Sequence, residues 1–301
     1  MPRKHKPKKY IKHRFAYLVF LACIRLIRLL PRRVGMALMR DFARLYYQIS
    51  KQNRQRTIQH LTLAFGNEKS REEIRRLARD VFRHFAVAGV DAIRIPQMIE
   101  KGMDHFVTAE NFHIIDNALA EGKGILVLTG HFGNWEVMGA YVAQKGYPIK
   151  VIGAPLDNPW LDRFLVDMRN RAGYANIMRG DGARAIIRAL KSGHMLAMLI
   201  DQDTKVNGVF VDFFGKKAHT AVGPVVLAER FGAPIIPVFM RMKPDLTYHI
   251  ECFPPVPLTW TGNKEKDILV NTQKCSDAYE AVIRRYPEQW AWMHRRWRKK
   301  P

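Results

Sequence analysis

His131 and Glu136 stand in the run Thr129-Gly130-His131-Phe132-Gly133-Asn134-Trp135-Glu136. A carboxylate bonded to one imidazole nitrogen fixes the tautomer and raises the basicity of the other nitrogen. Such a pair is a general base for a hydroxyl or a water. The spacing alone is weak, because His105 and Glu110 repeat it. Context separates the two pairs. His131 directly follows the apolar run GILVLT at 124–129 and opens the next helical stretch. In parallel α/β sheets ligands bind at the carboxyl ends of strands. Inside a helix, residues i and i+5 lie about 140° apart and do not meet. His131 is therefore expected in the turn, with Glu136 on the first helical turns reaching back to it. Gly130 and Gly133 allow a tight turn. The plainer alternative is a histidine that only caps the helix start.

A second polar group, Asp201-Gln202-Asp203, follows the apolar run MLAMLI at 195–200. Two carboxylates at a strand's carboxyl end could bind a metal, orient a basic side chain or bond a substrate; a turn-forming loop is the alternative. A third, looser group is Phe213-Phe214-Gly215 followed by His219-Thr220. Its aromatic pair lines an apolar slot or belongs to the core. S-x-x-K, G-x-S-x-G, P-loop and G-x-G-x-x-G patterns are absent, which argues against serine hydrolase, NTPase and dinucleotide chemistry.

These groups need elements to position them. From about 110 onward short apolar runs alternate with helical stretches. The runs at 124–129, 149–154, 195–200 and 233–242 read as strands. Those at 134–144, 158–172, 182–192 and 222–231 read as helices. The alternation predicts an α/β fold with a mainly parallel sheet flanked by helices. Residues 248–253 add a strand near an edge, since Pro254, Pro255 and Pro257 follow. A final helix is expected at 267–286. Residues 32–100 read as helical, with a helix at 36–50 and a polar break at 51–56. Ser70 and Glu73 form a capping box for a helix whose apolar stripe is Ile74, Leu77, Ala78, Val81, Phe82 and Phe85. Arg71, Arg75, Arg76, Arg79 and Arg83 occupy its other face, read as solvated. The helical N-terminal part, about 31–110, and an α/β core, about 111–301, are expected to form one domain.

Charge dominates the composition. The 301 residues hold 50 Lys and Arg against 27 Asp and Glu, a net charge of +23. A mean hydropathy of −0.23 rules out a polytopic membrane protein. The excess predicts a polyanionic partner: nucleic acid, acidic lipid, phosphorylated substrate or acidic protein. Residues 1–14 and 294–301 hold seven and five of the cations with no acid, and read as basic tails. Residues 15–30 are apolar apart from Arg25 and Arg28. At roughly 24 Å as a helix they fall short of a 30 Å hydrocarbon core, so a surface anchor or a marginal span is expected. No small-residue cleavage site follows, which argues against a cleaved signal peptide. Cys23, Cys252 and Cys275 are far apart, which fits a reducing compartment.

Taken together, TGHFGNWE, the DQD after a strand, FFG-x3-HT and PEQWAWMHRRWRKKP at 287–301 resemble the bacterial late acyltransferases of lipid A synthesis. These belong to the lysophospholipid acyltransferase superfamily. NRQRTIQHLTLAF at 53–65 and DNPWLDRFLVDMRNRAG at 157–173 also fit. The resemblance implies a glycerol-3-phosphate acyltransferase-like fold. It implies transfer of a fatty acyl chain from acyl carrier protein to a hydroxyl of a phosphorylated glycolipid acceptor, without a cofactor or metal. His131 and Glu136 match the catalytic pair. Arg169 and Arg179 match basic substrate-binding positions, and Asp201, Gln202 and Asp203 match the acidic motif; Asn134, Phe214 and Thr220 complete the implied substrate-binding set. Backbone N–H groups of the glycine turn, or a nearby Arg, are expected to hold the oxyanion. The implied location is the anionic inner membrane, with the catalytic domain on the cytoplasmic side. Acylation of another glycolipid or a lysophospholipid is the nearest alternative. A nucleic-acid-binding protein leaves the apolar helix and the His-Glu turn unexplained. A metal-dependent hydrolase lacks further ligands at metal spacing.

Overall fold

The computed structural model describes residues 7–178 and 183–301. The chain begins with helices: α1 (Pro7–Leu29), α2 (Arg32–Ile49), α3 (Lys51–Phe65), α4 (Arg71–Ile93) and α5 (Ile95–Glu100). Strands and helices then alternate: β1 (Val107–Glu110), α6 (His113–Ala120), β2 (Ile125–Thr129), α7 (Trp135–Gln144), β3 (Ile149–Gly153), α8 (Pro159–Arg171), β4 (Ala175–Met178), α9 (Ala183–Lys191) and β5 (Met195–Leu199). A hairpin of β6 (Gly208–Phe213) and β7 (Lys216–Ala221) follows, then α10 (Gly223–Phe231), β8 (Ile235–Met242), β9 (Tyr248–Cys252) and α11 (Lys264–Arg285).

Seven strands form one sheet in the order β1-β9-β8-β2-β5-β3-β4. All pairings are parallel except β8 with β9. The α/β class and mainly parallel sheet expected from the alternation are present. Alternate residues of the central strands face opposite ways, as the period of two requires. Leu126, Leu128, Leu196 and Phe239 join a core with α3, α4, α10 and α11. Ile125, Val127, Met195 and Val238 join another with α6, α7 and α8. The sheet is thus covered on both faces, which explains its continuous apolar strands.

The Ser70–Glu73 capping box forms with both of its hydrogen bonds, of 3.3 and 2.8 Å. Two expectations need correction. The polar stretch 51–56 is not a break: α3 starts at Lys51, one residue after α2 ends, and the interruption is confined to Ser50. β9 lies one strand in from the edge, as expected: β1 alone pairs outside it, and Pro254 and Pro255 follow its end. The 294–301 stretch is not a loose tail, since Arg296 is buried and bonds the His219 carbonyl and Thr220 at 2.6 Å each.

None of the described helices is long and apolar enough to cross a membrane. α1 packs on α8 through Tyr10 against Trp160 and Phe20 against Phe164. Its opposite side leaves Ile11, Phe15, Leu18, Leu26 and Leu29 exposed. On α2, Val34, Leu38, Phe42, Leu45 and Ile49 form a second exposed apolar stripe at helical spacing.

Candidate active site

β2 and β5 are neighbours, with Thr129 opposite Leu199. His131 comes two residues after the one and Asp201 two after the other, so the register brings them face to face. Asp201 Oδ1 lies 2.9 Å from His131 Nδ1, and Oδ2 accepts the His131 backbone N–H at 2.7 Å. The Trp290 indole N–H donates to Oδ2 at 2.9 Å. Burial raises the Asp201 carboxyl, but the His131 imidazole and these donors outweigh it and hold it well below the usual carboxylate range. A carboxylate only accepts, so Nδ1 carries the proton and Nε2 the lone pair. Among the described residues no protein group bonds Nε2, and the side chain is partly exposed. The dyad can therefore take a proton from an incoming hydroxyl.

Both glycines of the turn are required by close approach. A Cβ at Gly130 would fall 2.8 Å from the Tyr279 ring and 2.9 Å from Asp201. Gly133 has φ +58°, and a Cβ there would strike the Met240 carbonyl. The turn's N–H groups do not hold an oxyanion at His131 or Gly133. The first is bonded to Asp201, and the second donates to the Gln289 carbonyl at 2.8 Å.

The expected contact between His131 and Glu136 is absent. Glu136 instead receives the Arg169 guanidinium through two bonds of 2.9 and 2.5 Å. The Tyr174 hydroxyl and the Trp135 indole N–H also donate to it, at 2.7 and 3.0 Å. The cause is the start of α7: Glu136 lies on its first turn and faces α8, whose Arg169 completes a buried ion pair. That pairing leaves Arg169 uncommitted to any substrate anion, and its remaining Nη1 bonds Asn176 at 2.9 Å.

The other expected residues separate in the same way. Asn134 caps α7 and bonds the Ala88 carbonyl and the Tyr248 hydroxyl, buried throughout. Gln202 bonds His294 Nε2 at 2.8 Å. Asp203 is buried and faces Arg298, Lys299 and His219. Phe214 stands at φ +53° in the two-residue turn between β6 and β7, and packs into the core against Phe65 and Trp292. Thr220 is buried and accepts from Arg296. Arg179 lies outside the described residues. No three His, Cys, Asp or Glu side chains converge as a metal cradle among the described residues.

Several site residues escaped the sequence. Tyr279 donates to the Thr129 carbonyl and accepts the Ile200 N–H. Trp290 forms an isolated bridge with Phe132. His294 lies against the His131 ring at 4.9 Å between centroids, tilted by 60°. Burial, then the neighbouring His131 ring, pushes the His294 imidazole down to about 4, which keeps it neutral. The available signal was the W-x-W-x-H pattern at 290–294, because an indole in a core needs a partner for its N–H. At the carboxyl end of β5 an apolar cavity of about 380 Å³ is lined by Ile152, Ile186, Met198, Ile200, Val222 and Val226, among others.

Residues 3–299 match the model of the bacterial lipid A biosynthesis acyltransferase family. The chain is 26% identical over 216 residues to a phosphatidylinositol mannoside acyltransferase of Mycolicibacterium smegmatis, covering 69% of this chain and 67% of that one. It is 27% identical to a lipid A biosynthesis acyltransferase of Haemophilus influenzae, over 81% of this chain and 75% of that one. It is 29% identical to the lipid A biosynthesis lauroyltransferase of Escherichia coli, over 66% and 61%. A match that runs through nearly every described element, with the His131 turn at its centre, makes the chain a member of the bacterial lipid A biosynthesis acyltransferase family.

Proposed function

We propose that this enzyme moves a fatty acyl chain from acyl carrier protein to a hydroxyl of a lipid A precursor, with His131 as general base and Asp201 as its orienting carboxylate. The observation that carries the mechanism is the His131–Asp201 dyad, with Nε2 unbonded. Nε2 takes the acceptor hydroxyl's proton as its oxygen attacks the thioester carbonyl. A C–O bond forms and a tetrahedral oxyanion results. Collapse breaks the C–S bond, and the leaving thiolate recovers the proton from Nε2. The cavity at the carboxyl end of β5 has the apolar lining an acyl chain needs. Glu136 supports the site indirectly, by fixing Arg169 and the start of α7.

The exposed stripes on α1 and α2, with the basic residues around them, support docking on the anionic inner membrane from the cytoplasmic side. An acceptor of the phosphatidylinositol mannoside type is the second reading, favoured by the first of the relatives above.

The test combines three measurements. Purified enzyme is incubated with a panel of acyl carrier protein thioesters and either a lipid A precursor or a phosphatidylinositol mannoside, and the products are weighed. One added acyl group on the precursor is expected, lost in His131→Ala. Lipid A of unchanged acylation in a deletion strain, or product on the mannoside alone, refutes the first reading. Flotation with vesicles of phosphatidylcholine containing phosphatidylglycerol tests docking: recovery in the pellet alone refutes it.

A further inference from the structure

Arg169 is committed to Glu136, so the cations free to meet a substrate anion must be sought elsewhere. They converge in a second cavity, of about 510 Å³, between α2, α4 and the carboxyl end of β8. Arg33 and Arg40 enter it from α2 and Arg241 from the end of β8; Arg83 and Lys243 line it too, paired with Asp80 and with Asp245 at 3.3 and 3.8 Å. Two carboxylates also line it, and both are engaged. Asp80 pairs with Arg83 at 3.3 Å, and Glu288 accepts from the Gln289 amide at 3.3 Å. Arg33 and Arg40 meet no carboxylate within 4.0 Å among the described residues. The Arg241 guanidinium lies over the Tyr286 ring at 5.2 Å, and its Nε is buried with no hydrogen-bond partner.

The floor of this cavity is the back of the catalytic turn. His84 Nε2 bonds the Gly133 carbonyl at 3.1 Å. The Gln289 side chain clasps the Met242 N–H and carbonyl at 2.7 and 2.9 Å, while its own carbonyl accepts from Gly133. Convergent guanidinium groups with an unmet, buried N–H match the several acceptor oxygens of a phosphate better than a single carboxylate. α2 forms one wall, and its far side carries the stripe of Val34, Leu38, Phe42, Leu45 and Ile49. A lipid held at that face would bring its headgroup to the cavity, whereas a carrier protein would approach from the aqueous side.

We propose that this cavity binds a phosphate group on the headgroup of the acceptor lipid. The proposal rests on the acyltransferase reading above and extends it to the acceptor's anchoring group.

Two variants test it. Arg33→Gln/Arg40→Gln changes only exposed side chains; Arg40→Gln/Arg241→Gln adds the half-buried one. Arg71→Gln/Arg75→Gln, on the solvent face of α4, controls for total charge. Inorganic phosphate is titrated calorimetrically at constant ionic strength. Binding is expected in wild type and control and lost in both cavity variants; equal binding in all four overturns the proposal. In the acyl transfer assay the cavity variants should raise KM for the phosphorylated precursor roughly tenfold, the scale of a lost charge-assisted bond. The same precursor after phosphatase treatment should show no such difference. Phosphate binding with an unmoved acceptor KM identifies a site for free phosphate and overturns the headgroup assignment. A raised KM for the acyl carrier protein thioester alone overturns it too, in favour of the donor. If no precursor is acylated by wild type, the acyltransferase reading fails separately, and the phosphate titration still decides whether the cavity is an anion site.

Discussion

Asp201 is a buried carboxylate and Glu136 a half-buried one, yet their surroundings give them different work. Asp201 faces the imidazole and two further donors, so its charge bears on the proton transfer. Glu136 faces Arg169, so its charge bears on the fold. Asp201→Asn keeps the shape and removes the charge that holds Nδ1–H in place. It should lower kcat by about 10³–10⁴, the scale seen when an orienting carboxylate is neutralised, with the urea midpoint changed far less. Glu136→Gln breaks a buried pair and should destabilise the protein by about 3–5 kcal/mol. Urea unfolding and steady-state kinetics on the two variants check this. An inert fold with an abolished kcat in Glu136→Gln would return the general-base partnership to Glu136. The histidine was legible in the sequence because it directly follows an apolar strand. Asp201 was legible as a carboxylate that could orient a basic side chain, but not its pairing with His131, because H-x4-E is a local pattern whereas Asp201 reaches His131 through the pairing of β2 with β5, 70 residues away in the chain.

The strands β2, β3, β5 and β8 and their helices were legible because each is a bounded apolar run of one period. The elements that were missed have mixed environments. β1 is a four-residue edge strand with three exposed positions, and β6 and β7 pair only with each other. The segment after α11 has no period at all, and its charges read as a solvated tail. Yet it crosses the catalytic turn: the Ala291 N–H donates to the His131 carbonyl, Trp290 and Trp292 are fully buried, and Lys299 donates its N–H to Asp203 at 3.0 Å. Aromatic residues alternating with cations can bury one set and pair the other, which composition does not reveal. Deleting residues 294–301 removes His294 from Gln202 and Arg296 from His219 and Thr220. A frayed tail could be removed without effect. Here the melting temperature should fall on the order of 10 °C, the equivalent of several lost charge-assisted bonds, and acyl transfer should disappear. Differential scanning calorimetry and the transfer assay decide between the two.

At the scale of the whole molecule, the basic excess acts through histidines as well as through lysine and arginine. His84 is buried and His294 half-buried, and desolvation first, then neighbouring positive groups, pushes each imidazole down to about 4. In the unfolded chain each returns to about 6.5. Above pH 6.5 both states leave them neutral, so the folded state keeps their full contribution. As pH falls from 6.5 toward 4 the unfolded state binds protons that the folded state refuses, and stability is lost. Each group accounts for on the order of 3 kcal/mol over that interval. Asp201 works in the same direction at lower pH, because its carboxyl is held below the usual range and its contribution disappears only when it protonates. Unfolding free energy measured in urea should therefore fall steeply between pH 7 and pH 4.5, well before the carboxylates titrate. The slope should shrink in His84→Gln, which keeps a donor for the Gly133 carbonyl while removing one titrating ring. A flat profile between pH 7 and pH 5, or an unchanged slope in that variant, would show that these rings are charged in the folded protein. The dyad would then work beside a cationic His294, and proton transfer to His131 Nε2 would be opposed rather than permitted by its neighbour.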